Sequence, residues 1–176
     1  MNGYHLDPLG MVHLASAVGA MILGALAVFL KKGTTTHVRI GYGYFFAMLT
    51  VNITALMIYR LFGSFGAFHI MALISLLTLL GGLIPAYLKK PTHSWLELHY
   101  EFMNWSIVGL YAAFWSETFS RFFRFAGFWT FVATATALTV AVGIYFIKRY
   151  KKSLIETYSR EPGAEMAPSS PEAEIG

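Results

Sequence analysis

Apolar residues fill five stretches of this chain, 9–30, 40–59, 65–88, 95–119 and 128–147. Each is near the ~20 residues that a helix needs to cross a bilayer. Between them the polarity changes abruptly. KKGTTTHVR separates the first two stretches, Arg60 and the glycine-rich LFGSFG the next two, and Lys89-Lys90-Pro91 the third from the fourth. The pattern predicts five spanning helices joined by short turns, with Pro and Gly marking the breaks. Short connections favour an up-down bundle of sequential neighbours. The first helix should then lie diagonal to the third and the second diagonal to the fourth. The fifth run carries no charge and no histidine, so it is expected to pack beside a four-helix bundle. The fold class is therefore all-α and integral to a membrane.

The ends divide differently. Residues 1–8 form a short polar lead, expected on the outer side. No cleaved signal peptide is expected, because the first apolar run has no basic residues before it and Lys31-Lys32 after it. At the other end, 148–176 begins as the basic collar KRYKK and continues from Arg160 into a Pro-, Ser- and Glu-rich tail, expected to be disordered. Lys and Arg set the orientation. With the N-terminus outside, ten lie on the inner side: Lys31, Lys32, Arg39, Lys89, Lys90, Lys148, Arg149, Lys151, Lys152 and Arg160. Only three, Arg60, Arg121 and Arg124, lie outside. This places the C-terminus in the cytoplasm of a bacterial plasma membrane.

Composition sharpens this picture. Only 12% of residues are charged, against about 25% in soluble domains. The absence of cysteine excludes disulfides, thiolate metal sites and thiol nucleophiles. The net charge of +4 comes from residues beside apolar runs, which points to lipid headgroups and away from nucleic acid.

Candidate chemistry lies in the polar residues at membrane depth, which are costly and usually functional. The fourth run holds His99, Glu101, Asn104, Ser106 and Glu117. His99 and Glu117 share one helical face, about 27 Å apart along the axis, with Met103, Ser106, Leu110 and Ala113 between them. Four histidines sort by depth into two diagonal pairs. His13 and His69 fall near the outer face, His37 and His99 near the inner one. Such pairs suit the axial positions of two stacked b-type haems. Below His13 the small residues Ala17, Ala20, Gly24 and Ala27 predict either close helix packing or a groove for a flat cofactor. Gly41 and Gly43 could make similar room near His37. A second reading takes His13, His69 and Glu117 as a zinc or non-haem iron site that activates water. Against it, Glu117 has Arg121 one turn on as an ion-pair partner. His5 and His93 have no depth-matched partner and are read as solvated. No nucleophile elbow, phosphate loop or aligned Ser-His-Asp set is present.

Three stretches resemble a widespread bacterial group of small multi-helix membrane proteins known only as a domain of unknown function. They are His13 with its small-residue helix, KGTTTHVRIGYGYFFAML, and HYEFMNWS with the later SETFSR. The third is similar to an H-x-x-W-M-x-R-S pattern, with Phe102 in place of its Trp and Trp105 in place of its Arg. The resemblance spans roughly residues 9–124 and implies a plasma-membrane location and the choice of His13, His37, His69 and His99. By architecture alone, the bundle is similar to cytochrome-b561-like di-haem proteins.

Three functions follow as expectations. The first is transmembrane electron transfer through two b haems, with a quinone or protein redox partner. The second is a metal-dependent membrane hydrolase. The third is a cofactor-free accessory subunit of a larger membrane complex or a homo-oligomer. The sequence leaves open whether the protein is an enzyme.

Overall fold

The computed structural model describes residues 7–59, 63–91, 94–122 and 127–160, with side chains omitted at 120–122 and 158–160. His5, His93, Arg60, Arg124, the side chain of Arg121 and the tail beyond 160 lie outside the described residues, as do the readings made on them. Five helices follow one another: α1 (Pro8–Phe29), α2 (Thr35–Met57), α3 (Ala67–Leu88), α4 (Trp95–Phe122) and α5 (Phe128–Arg160). Among the described residues there is no strand.

Local chemistry sets the helix ends. Asp7 accepts from the Gly10 backbone N–H at 3.0 Å, and Pro8 opens α1. Both are favoured at a helix start. Thr34 caps α2 by accepting from the His37 N–H at 3.2 Å. This cap starts α2 five residues before the predicted Ile40 and moves His37 from the loop into the first helical turn. At the end of α1, the Lys32 ammonium donates to the carbonyls of Ala27, Val28 and Leu30. That satisfies groups a helix C-terminus leaves unpaired.

The helices form a ring in which α1 touches α2 and α4, and α3 touches α2 and α4. The pairs α1/α3 and α2/α4 are therefore diagonal, and α5 packs mainly on α4, with Phe128 at its start edge-on to Phe68 of α3. The centre of the ring is filled by Ala20, Tyr44, Met48, Leu79 and Leu110, so each of α1–α4 contributes. Close contacts are made where a residue has no side chain to interpose. A Cβ on Gly24 would come within 3.0 Å of the Tyr44 ring, and one on Gly143 within 2.5 Å of Val108.

Four helices are long and apolar enough to cross a membrane: Pro8–Phe29, Thr35–Met57, Ala67–Leu88 and the Phe128–Thr157 part of α5. The fourth predicted span, α4, is long but too polar to join them. Its position explains the difference. With α1, α3 and α5 all against it, α4 faces protein over most of its circumference and can carry polar groups that a lipid-facing helix could not. The exterior is apolar, with Phe29, Tyr87, Leu77 and Leu138 all well exposed, whereas Asn52, Thr54, His69, Ser106 and Ser116 are buried. α5 also runs past its predicted end at Ile147. The basic collar is the continuation of this 33-residue helix, whose length of about 50 Å exceeds the ~30 Å hydrocarbon core.

Candidate functional site

The histidines gather at the two ends of the bundle. At the end of the bundle where α2 begins, α2 and α4 bring His37 and His99 face to edge, with ring centroids 6.4 Å apart and planes at 87°. Their backbones are not in contact, so side chains alone bridge this diagonal. His99 Nδ1 lies 2.9 Å from the Gly82 carbonyl. A carbonyl only accepts, so Nδ1 carries the proton and Nε2 keeps its lone pair. A ligating histidine needs this state and this kind of partner. His37 Nδ1 is buried with no hydrogen-bond partner. Lys32 lies near both rings, and burial holds its ammonium below the usual lysine value.

A linear nitrogen–metal–nitrogen bridge with bonds of about 2 Å sets imidazole centroids roughly 6 Å apart. The observed spacing matches that of a bis-imidazole metal centre, and a face-to-edge pair needs one ring to turn before both nitrogens aim at the same point. A porphyrin also needs lateral room. On the α3–α4 side that room is restricted, because Gly81 abuts the Phe102 ring and Gly82 abuts Met103.

The opposite end, where α1 and α3 begin, is built differently. His13 Nδ1 is 2.9 Å from Thr54 Oγ1. The same hydroxyl is 2.7 Å from the Thr50 carbonyl and 3.0 Å from that of Val51. Its single proton goes to a carbonyl, so it accepts from His13 Nδ1–H. His69 is in the opposite tautomer. Its Nδ1 accepts from the Gly66 backbone N–H at 3.1 Å, so the ring is neutral with its proton on Nε2. It presents a donor where a metal ligand presents a lone pair. Tyr59 and Phe65 pack against it at 4.6 and 4.9 Å. The structure shows no contact between His13 and His69.

The remaining candidates sort clearly. Ala17, Ala20 and Gly24 are buried, and the Tyr44 ring lies against Gly24, so this part of the small-residue stripe is packing surface. Gly43 meets Leu23, whereas nothing lies within 4 Å of a Cβ on Gly41. The face from His99 is interior at Ser106 and Leu110 but emerges at Ala113. Glu117 is partly exposed, and among the described residues no three His, Asp or Glu side chains converge as a metal site. Glu101, with Glu97, is engaged by Lys151 of α5.

Sequence reasoning missed Tyr44, whose hydroxyl pairs with Ser106 Oγ at 2.8 Å across the α2–α4 diagonal, and gave no role to Asn52, deep in the second apolar run and 2% exposed. A polar residue inside an apolar run was the available signal for both. No family model, curated protein or solved structure matches the chain.

Proposed function

We propose that this is an integral membrane protein of electron transfer, with a b-type haem held between His37 and His99. One observation carries the reading: two imidazoles from diagonal helices stand 6.4 Å apart, and one is already fixed with its Nε2 lone pair free. Bound there, haem would supply one-electron chemistry. Gly82 orients His99, and the apolar bundle excludes water. A second haem on His13 and His69 has less support, because His69 would first have to give up its bond to Gly66. In this reading the bundle sits in a bacterial plasma membrane with the N-terminus outside.

The test is an absorption spectrum of protein purified in detergent from haem-replete cells. A Soret band is expected. His37→Ala and His99→Ala should each abolish the same centre, because residues acting as one unit are not additive. His13→Ala should leave it in place. Absence of a Soret band overturns the haem reading. Stoichiometric metal without a porphyrin spectrum would reduce the site to a bis-imidazole metal centre.

A further inference from the structure

At the outer end, two donors are buried without acceptors. His69 is 3% exposed and its Nε2–H has no partner. Asn52 is 2% exposed and its Nδ2 has none either. Buried polar groups are nearly always hydrogen-bonded, and an orphan donor costs free energy. These two are on adjacent helices at the same end of the bundle. Asn52 precedes the last residue of α2 by five positions, and His69 follows the first residue of α3 by two. At ~1.5 Å per residue their depths differ by roughly 5 Å.

The kind of ligand follows from the proton inventory. His69 is neutral, since its Nδ1 lone pair accepts from Gly66, and Asn52 is neutral by nature. An anion held by these neutral donors would keep an uncompensated buried charge. A water could accept from both, but its own two protons would then need acceptors. The Thr54 hydroxyl, two residues along α2 from Asn52, already accepts from His13 and donates to a backbone carbonyl. A carbonyl oxygen accepts and has no proton to place. The ligand must also enter through an apolar exterior, and the rings of Tyr59 and Phe65 beside His69 suit a flat one.

We propose that Asn52 and His69 form a binding site for the carbonyl group of a lipid-soluble quinone. The site lies at the far end of α2 from His37, about 22 Å along the helix, and does not depend on what the inner pair holds.

The full-length protein in lipid nanodiscs is titrated with decyl-ubiquinone carrying isotope-labelled carbonyls, following thermal stability and the labelled carbonyl stretch. Saturable stabilisation is expected, with the stretch shifted down by hydrogen bonding. That wild-type measurement needs no variant. Asn52→Leu keeps the volume and removes the donor. His69→Asn keeps an acceptor for the Gly66 N–H and removes the Nε2 donor. Each should weaken binding about tenfold or more, and together they should abolish the shift. Non-saturable partitioning with an unshifted stretch overturns the proposal, as does undiminished binding by both variants. Either result leaves the haem spectrum, a separate readout, untouched.

Discussion

Side chains of one or no carbon decide much at the scale of single residues. Gly82→Ala would place a Cβ 2.7 Å from the Met103 sulfur and 3.1 Å from its backbone nitrogen. The side chain can swing away but the backbone cannot, so overpacking should cost about 1–3 kcal/mol. It should also disturb His99 through the Gly82 carbonyl. Gly41→Ala meets nothing within 4 Å and gains helix propensity, so stability should hold or rise by up to about 1 kcal/mol. Thermal unfolding of the two variants in detergent checks the contrast. If both behave alike, the close approach of α3 to α4 is wrong. The two positions read alike in the sequence, each a glycine in an apolar run. Only the neighbour across the gap separates them.

Among the elements, α4 and α5 form the most heavily linked pair outside the histidine sites. Tyr100 donates to the Ile147 carbonyl at 3.0 Å, Ser116 Oγ reaches Thr136 Oγ1 at 3.3 Å, and Lys151 engages both Glu97 and Glu101. The carboxylates beside Lys151 lie past the apolar part of α5, where partly exposed ion pairs are worth little in global stability. Their effect should be local. Glu97→Gln/Glu101→Gln should speed amide hydrogen exchange over residues 148–157 and leave the melting temperature nearly unchanged. Unaltered exchange there would show that the ion pairs do not hold this end of α5. The end of α1 offers a second test. Lys32→Ala removes the donor from three carbonyls and should destabilise by about 1–2 kcal/mol, read as a lowered melting temperature. The helices themselves were legible from hydropathy. The cap at Thr34 and the continuation of α5 were not, because a capping hydroxyl and a helix leaving an apolar layer both interrupt the pattern used to find them.

For the whole molecule, the departure from a soluble domain is on the outside, where large apolar side chains are exposed around a core that is apolar apart from a few buried polar groups. Orientation is the property to test at this scale. The counts of Lys and Arg predict that a reporter fused after Arg160 behaves as cytoplasmic. A periplasmic signal would reverse the inner and outer labels, although the His37–His99 and Asn52–His69 sites would stay at opposite ends.

The sequence alone determined the number of helices, their approximate limits, the ring order and the end of the bundle at which His13, His37, His69 and His99 lie. Apolar run length and loop length are local quantities, and they restrict how a chain can fold back in a bundle. It also placed His37 opposite His99. Tertiary structure decided which nitrogen carries the proton in three of these rings, since that depends on a partner distant in sequence or on backbone geometry: Gly82 for His99, Thr54 for His13 and the Gly66 N–H for His69. Histidines equivalent by spacing thereby became different chemistries: His99 and His13 keep a lone pair on Nε2, whereas His69 presents a proton there. Spacing fixes how deep an imidazole sits, but only its hydrogen-bond partner fixes what it can bind.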